Sequence, residues 1–383
     1  MKIRTRFGVL AFMLALLSLV AFDMASCSVP SRPSWWPHSS ANVAAASATT
    51  VRLGHAKPSS HQLGIDIYWS QGTLPAATVH ADAVRIINYV LSLHANSISL
   101  SFPFYTSGLR SSSVYVSKTD SPSAAQVGVL LRLARQAGIR TTLRPLLSEN
   151  TLDHTHVPRD KIQPANIAAW FRSYGKIIAP YLKVAQADKA SSFVIGTELV
   201  MLGHDKSRWL SLIAGARRTF HGRFLFEDRY KNYSLWAPYH SAAGFDADMW
   251  PGFTGLRNTA TIGQLTRAWK KFLAAYGRKR SLRSLVISET GIAAVPGAYQ
   301  HSATWFGIGL PTPQGRRMQE RWYTALCTAT RAYHVRGLYW WEINFTANPA
   351  APAQWDRTDQ FTFMGVPAQQ AVASCFKSWS GSK

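Results

Sequence analysis

The chain has 383 residues, enough to bury the core of one large catalytic domain. Apolar residues make up 47% of it and charged residues 16%, a composition that excludes a long disordered chain. The formal net charge of +23 fits nucleic acid, an anionic membrane surface or an acidic polysaccharide. Since no zinc-finger, RNA-recognition or helix-turn-helix motif accompanies the charge, we expect no nucleic-acid partner and interpret it as a generally basic surface.

The first 26 residues predict a secretory signal peptide. Three basic residues among the first six precede an apolar run over residues 9–22, which is too short for a good membrane span. The segment that follows resembles a bacterial lipobox with Cys27 as the lipid acceptor, although Met24 stands where leucine is usual. Export is therefore predicted, to the periplasm, to a membrane as a lipoprotein, or into the medium. A lipid anchor and simple cleavage both remain open.

Residues 27–60 are rich in Ser, Pro and Ala and show no periodicity, which predicts a linker or tether. The remainder, residues 61–383, contains no internal repeat and no second linker. We expect it to form a single domain and the protein to be a monomer.

Strand and helix patterns alternate along this domain. Eight apolar or β-branched runs predict strands at Gly64–Trp69, Ser97–Tyr105, Arg140–Leu146, Ser192–Glu198, Arg223–Asp228, Phe245–Trp250, Ser284–Glu289 and Gly337–Ile343. Helical periodicity fills the gaps, with one helix capped by Ser121, one holding Met318 to Ala329, and others near 165–187, 206–222, 234–244, 261–279 and 368–381.

Eight strand–helix units predict an α/β fold, a (β/α)8 TIM barrel. The fifth unit is the weakest, because its strand starts lie close to the minimum spacing of a βαβ crossover. A doubly wound open sheet is the alternative fold, but the Gly-rich phosphate turn is missing after the first strand.

Two glutamates carry the prediction of function. Glu198 ends the fourth predicted strand and Glu289 the seventh, each closing an otherwise apolar or small run. An ionised carboxylate is costly at the end of a buried strand, so each needs a function or an ion pair with a cation such as Arg144 or Arg229. Strands four and seven face one another across the barrel mouth. Two carboxyl groups there can lie about 5–5.5 Å apart, as retaining glycosidases require.

Glutamates on strands four and seven are the hallmark of glycoside hydrolase clan A, and four short segments resemble its family 113, the β-mannanases. These segments are Phe102–Tyr105, Leu143–Leu147, Ile195–Leu199 and Arg208–Ile213. The resemblance covers roughly residues 62–345 and implies Glu198 as acid/base, Glu289 as nucleophile, and endo-acting cleavage of β-1,4-mannan without metal or cofactor. The chain departs from the clan in having Thr197 where Asn is usual and Trp250 where Tyr is frequent.

Further substrate-binding residues are predicted from their positions at strand ends and in loops. Arg144 is expected to lower the pKa of the nucleophile or bind a sugar hydroxyl, with a structural salt bridge as the alternative. The aromatic residues are candidate stacking platforms for sugar rings, with burial in the barrel rim as the alternative. The predicted set is Trp69, Tyr105, Arg144, Thr197, Tyr230, Trp250, Trp305 and Trp341.

Three smaller features complete the pattern. Cys327 and Cys375 are predicted to form a disulfide in an oxidising compartment, with two buried thiols as the alternative. Glu227 and Asp228 are a second acidic possibility at the end of strand five. A loop with Asp153, His154 and His156 lacks a third ligand at a recognisable spacing, so no metal site is predicted.

The predicted function is thus a retaining endo-β-glycosidase acting on a polysaccharide outside the cytoplasm. Two alternatives remain open: a hydrolase of an acidic exopolysaccharide, and a non-catalytic carbohydrate-binding lipoprotein that keeps the barrel.

Overall fold

The computed structural model describes residues 52–148, 158–303, 309–352 and 359–380. The chain divides into two compact units, 1–50 and 51–383, and every described residue belongs to the second. The predicted signal peptide and Cys27 lie outside the described residues, as do Trp305 and the loop with Asp153, His154 and His156.

Eight parallel strands close into a barrel in sequence order, and β1 pairs with β8. The strands are β1 (Gln62–Tyr68), β2 (Ser97–Phe104), β3 (Arg140–Leu147), β4 (Ser192–Thr197), β5 (Arg223–Arg229), β6 (Gly244–Asp248), β7 (Val286–Thr290) and β8 (Gly337–Asn344). The predicted (β/α)8 barrel is confirmed, and the open-sheet alternative is excluded. One peptide bond in β8, between Trp341 and Glu342, is cis.

Helices cover the outside of the barrel. They are α1 (Ala76–Ser92), α2 (Ala124–Gln136), α3 (Ile167–Ala187), α4 (Lys206–Arg217), α5 (Tyr233–Trp236), α6 (Ile262–Gly277), α7 (Pro313–Ala332) and α8 (Pro367–Ser380). None of these described helices has both the length and the apolar character needed to span a membrane.

Two helix predictions are wrong in detail. Ser121 does not cap α2; Ser123 does, in a capping box with Gln126, while the Ser121 hydroxyl bonds to the backbone of β2. In place of the helix expected near 234–244, α5 has four residues and is followed by a 3-10 turn that contains Pro238. A proline lacks the N–H that an α-helix would use there.

The strands separate apolar from polar side chains. Along β2, Ile98, Leu100 and Phe102 join the apolar core, whereas Ser97, Ser99 and Ser101 alternate with them and are also buried. The barrel interior is therefore polar, and its other buried polar members include Asp66, Thr142, Arg144, Glu227, Asp246, Asp248 and Ser288.

Near the N-terminal end of β1, a Cβ on Gly64 would lie 2.1 Å from the Tyr339 ring, so only glycine fits.

The predicted disulfide is present. Cys327 on α7 and Cys375 on α8 are bonded, with their Cα atoms 5.8 Å apart. They are separated by 48 residues along the chain. A closed loop of this size contributes about 4 kcal/mol to the free energy of unfolding in the chain-entropy model.

The chain already lies against the barrel before residue 61. The N–H of Ala56 donates to the carbonyl of Ala137 at 2.8 Å, and the side chain of Arg140 donates to the carbonyl of Ser59. Leu53 and Ala56 also pack on the core. The packed unit thus begins within the segment predicted to be a linker.

Candidate active site

Arg144 is the centre of the charge network inside the barrel mouth. It extends from β3, is fully buried and forms an ion pair with Glu289. Its Nε lies 2.8 Å from Glu227 Oε2, and its Nη2 lies 3.7 Å from Asp248 Oδ2. Burial alone would lower the pKa of Arg144, but these carboxylates raise it, so the guanidinium stays charged.

The carboxylates around Arg144 outnumber it. Besides these three, Asp66 on β1 lies fully buried nearby, within range of the charges of Arg144 and Glu289. Burial raises the pKa of Asp66 and of Asp248 well above the ordinary value, and the charge of Glu289 raises both further. Burial therefore favours the protonated, neutral form of these two acids.

Glu289 lies near the end of β7, its side chain only 8% exposed. Burial raises its pKa above the ordinary value, Arg144 opposes this, and the negative charge of Glu198 raises it again. Glu198 and Glu289 therefore lie within electrostatic range of one another at the barrel mouth. Trp250 contributes a hydrogen bond, with its Nε1 3.0 Å from Glu289 Oε1.

Trp250 reaches Glu289 from a position just beyond β6. The end of β6 is tied to β7 by the Met249 N–H, which donates to the Glu289 carbonyl, and by the hydroxyl of Thr290, which donates to the Met249 carbonyl. A Cβ on Gly291 would lie 3.0 Å from the Trp250 ring and 2.8 Å from the Trp341 carbonyl. The glycine leaves room for the indole beside the carboxylate.

Glu198 is the first residue after β4 and has a positive φ of 51°. Such backbone conformations are costly for a residue with a side chain and concentrate at functional sites. The N–H of Glu198 donates to the Glu227 carbonyl at 2.9 Å, which fixes the turn against β5. Its side chain is 17% exposed, so the carboxylate reaches the mouth of the barrel.

Two arginines contact Glu198 from opposite sides. Arg159, in a 3-10 turn after β3, places Nη1 3.3 Å from Oε2, and Arg229, at the end of β5, places Nε 3.4 Å from Oε1. Arg229 also pairs with Asp160 at 2.5 Å. The sequence indicates Arg229 as a possible partner but gives no sign of Arg159, which lies in a loop without a motif.

The ion pairs proposed as the alternative to a catalytic role are therefore present, Arg144 with Glu289 and Arg229 with Glu198. At Glu289 the ion pair does not argue against catalysis. A carboxylate nucleophile has to be ionised, and an adjacent guanidinium favours that form in a buried site. An ion pair and a catalytic role are therefore compatible at Glu289.

Glu227 and Asp228, the second acidic pair predicted from the sequence, make structural contacts. Glu227 pairs with Arg144. Asp228 accepts hydrogen bonds from Trp236 Nε1 at 2.7 Å, from Asn232 at 2.9 Å and from the backbone N–H of Arg229 at 2.7 Å. Within the described residues, no group of three or more His, Cys, Asp or Glu side chains is arranged to hold a metal ion.

The predicted stacking residues divide into two groups. Trp341 lies at the mouth, where its ring is 5.6 Å from the guanidinium carbon of Arg144 and 6.2 Å from the Tyr68 ring. Trp69 is instead fully buried and stacks on Phe345 at 3.7 Å, so the prediction of a sugar platform there is wrong.

Three other predicted substrate-binding residues are also buried or packed against neighbouring side chains. Tyr230 packs edge-on against Phe272 of α6, outside the barrel. Thr197 is buried at the end of β4, and its hydroxyl lies 3.5 Å from the Pro145 carbonyl. Tyr105 is only 8% exposed, whereas Tyr115, which stacks on it, is 48% exposed. The open aromatic face at the end of β2 is thus that of Tyr115, which was not among the predicted residues.

The comparison with protein families decides the identity. The model of Glycoside Hydrolase Family 113 matches residues 76–365. This chain belongs to glycoside hydrolase family 113. It is a glycoside hydrolase with a clan A barrel, as the resemblance of its short segments implied.

Solved structures agree in fold. A family 113 β-1,4-mannanase determined as a complex is 15% identical, with a TM-score of 0.67 over 83% of this chain and 99% of that one. The family 113 β-mannanase from Alicyclobacillus acidocaldarius, in complex with ManMIm, is 17% identical, with a TM-score of 0.66 over 83% and 98% of the two chains. No protein of curated function matches this family 113 chain in sequence.

Proposed function

We propose that this family 113 protein is a retaining endo-β-mannanase that cleaves β-1,4-mannan. The single observation that carries the proposal is the pairing of two carboxyl groups from β4 and β7 at the barrel mouth, where the charge of Glu198 acts on Glu289. Family membership supports glycoside hydrolysis. The choice of mannan follows the family 113 β-mannanases whose solved structures share the fold.

The proposed mechanism assigns one role to each glutamate. Glu289, held by Arg144 and Trp250, attacks the anomeric carbon and forms a glycosyl ester, while Glu198 gives a proton to the departing glycosidic oxygen. In the second step Glu198 takes a proton from water, the water oxygen bonds to the anomeric carbon, and the ester bond to Glu289 breaks. Two inversions leave the configuration unchanged.

The position of the two glutamates supports this division of roles. Glu289 is the less exposed of the two and is bonded on both oxygens, which suits a fixed nucleophile. Glu198 is more exposed, at 17%, which suits a group that exchanges its proton with water between the steps.

Product analysis tests the proposal. Wild-type protein is incubated with β-1,4-mannan, glucomannan, cellulose and an acidic polysaccharide, with Glu289→Gln as the matched inactive control. We expect new reducing ends from the mannans, internal cleavage, and initial products in the β configuration by proton NMR. α-configured first products would contradict retention, and binding without new reducing ends would identify a non-catalytic carbohydrate-binding protein.

Export is a separate proposal, supported by the basic and apolar pattern of the first 26 residues. Expression of the full chain with a lipid label, beside a Cys27→Ser variant, distinguishes the two forms. Label on the wild type alone would establish a lipoprotein. Unlabelled, shortened protein outside the cytoplasm would establish simple cleavage.

A further inference from the structure

Glu342 on β8 is a carboxylic acid at the barrel mouth that the proposed mechanism does not use. Its strand lies between β7 and β1, and the paired positions nearest to it are Thr290 with Trp340 and Ile67 with Ile343, followed by Tyr68 with Asn344. Glu342 therefore lies at the carboxyl ends of the strands, between the strand of Glu289 and the strand of Tyr68.

The electrostatic neighbours of Glu342 are groups of the mouth and the barrel interior. Burial raises its pKa well above the ordinary value, and the charges of Asp359, Glu289 and Asp66 raise it further. Burial likewise raises the pKa of Tyr68, with Glu342 as the largest charge acting on it. Glu342 thus belongs to the same cluster of groups as the proposed nucleophile.

Glu342 and the adjacent Trp341 each have a buried polar atom without a hydrogen-bond partner among the described residues. Oε2 of Glu342 and Nε1 of the adjacent Trp341 are both buried, and neither makes a hydrogen bond within the described part of the chain. Trp341 is 3% exposed, and Glu342 as a residue is partly exposed. Buried polar atoms are almost always hydrogen-bonded, so these two atoms on adjacent residues leave hydrogen bonds that a ligand at the mouth can supply.

A sugar hydroxyl has the required chemistry, because it donates one hydrogen bond and accepts others. An anionic sugar does not suit the same place. The nearby guanidinium of Arg144 already serves Glu227, Asp248 and Glu289, and an added carboxylate would face Asp359 and Glu289 as well.

We propose that Glu342 is a substrate-binding residue that hydrogen-bonds hydroxyl groups of the sugar bound beside Glu289, and that it restricts this position to a neutral sugar. The inference rests on the proposed function, since it takes Glu289 as the nucleophile, and it specifies the substrate class on the nucleophile's side of the cleaved bond. It favours mannan over an acidic exopolysaccharide.

The test compares two polymers and three variants. β-1,4-Mannan and β-1,4-linked polymannuronate differ only at C6, where the second carries a carboxylate. Glu342→Leu removes the hydrogen bonds, Glu342→Gln keeps one donor and one acceptor, and Glu320→Leu alters a glutamate on the outer helix α7 as the matched control. Steady-state kcat and KM and the melting temperature are measured for each protein.

We expect Glu342→Leu to lower kcat/KM on mannan at least about 10-fold, with Glu342→Gln closer to the wild type. The melting temperature of Glu342→Leu is expected to stay level or rise, because an unpaired buried acid is removed. Wild-type kcat/KM on polymannuronate is expected to be lower by about 100-fold or more, the effect of an unpaired buried charge. Unchanged kcat/KM in Glu342→Leu, or equal activity of the wild type on both polymers, would overturn the inference.

A binding measurement separates this inference from the proposed function. Mannohexaose is titrated into the Glu289→Gln protein with and without Glu342→Leu, so no turnover is needed. A dissociation constant about 10-fold higher in the double variant supports the role of Glu342 even if the wild type proves inactive. Equal dissociation constants, or no binding to either protein, would refute it.

Discussion

The indole Nε1 of Trp250 donates a hydrogen bond to Oε1 of Glu289 at 3.0 Å, while Arg144 pairs with the other oxygen. Both oxygens of the Glu289 carboxylate are therefore held, one by a group that follows β6 and the other by a group on β3. Trp250 stands where clan A frequently has a tyrosine, and its N–H supplies a donor as a tyrosine hydroxyl does. The replacement of tyrosine by Trp250 therefore keeps a hydrogen bond to Glu289.

Trp250→Phe should lower kcat/KM by about 10- to 100-fold, because a hydrogen bond to a charged group contributes about 1.5–3 kcal/mol. The loss should fall mainly on kcat, since Glu289 is the attacking group. Trp269→Phe is the matched control: Trp269 is buried in the core, and its N–H has no partner among the described residues. Equal kinetic losses in the two variants would mean that the bond to Glu289 has no special role.

Arg144→Met should move the acidic limb of the kcat/KM profile to higher pH. Arg144 lowers the pKa of Glu289, so its removal lets that pKa rise, and the nucleophile becomes protonated at a higher pH as the pH falls. The variant should also lose about 3–5 kcal/mol of stability, because buried carboxylates lose their cation. Arg132→Met, which removes an exposed partner of Asp188, is the control. An unshifted acidic limb in Arg144→Met would contradict the assignment.

Tyr115→Ala should weaken the binding of long substrates only. Tyr115 is 48% exposed and stacks on Tyr105 at the carboxyl end of β2, so its free face can cover a sugar ring away from the cleaved bond. We expect KM for long manno-oligosaccharides to rise about 5-fold, as the loss of about 1 kcal/mol of ring contact implies, with no change for the shortest substrate. Val116→Ala, at a neighbouring exposed position, should change neither value. A uniform effect at all lengths would exclude a distant sugar platform.

Stability should fall as the pH rises from about 4 to about 8. Burial raises the pKa of Asp228 and Asp246 to about 6 and that of Glu227 to about 8. Between the unfolded and folded pKa values the folded state binds more protons, so the free energy of unfolding decreases with rising pH. Asp246→Asn should flatten this slope between pH 4 and 6. Thermal melts of both proteins across the pH range provide the measurement, and parallel curves would show that Asp246 does not contribute.

The barrel was predictable because each strand is a short apolar run and each helix has its own periodicity. The exception, residues 234–244, shows where local pattern fails. There the carboxylate of Asp228 accepts from Trp236 and Asn232, and Pro238 interrupts the helix. Hydrogen bonds to a buried acid, which hydrophobic periodicity does not register, help to set the shape of this short crossover.

The catalytic pair was predictable from position, because two carboxylates end strands that face each other. The residues that surround this pair were harder to predict. Arg159 comes from a loop without a motif, and the burial of Trp69 depends on Phe345, far away in sequence. The polar interior did leave a signal, the alternation of Ser97, Ser99 and Ser101 with apolar residues along β2.

Covalent trapping tests the central claim most directly. The protein is incubated with an activated 2-deoxy-2-fluoro-β-mannoside, which slows release of the glycosyl ester, and is digested and mapped by mass spectrometry. Glu289→Gln serves as the control. The account predicts one added sugar per chain, on the peptide of residues 284–316 and at Glu289, and none on the variant. A sugar attached to any other residue, or rapid turnover of the reagent to the α product without an ester, would contradict it.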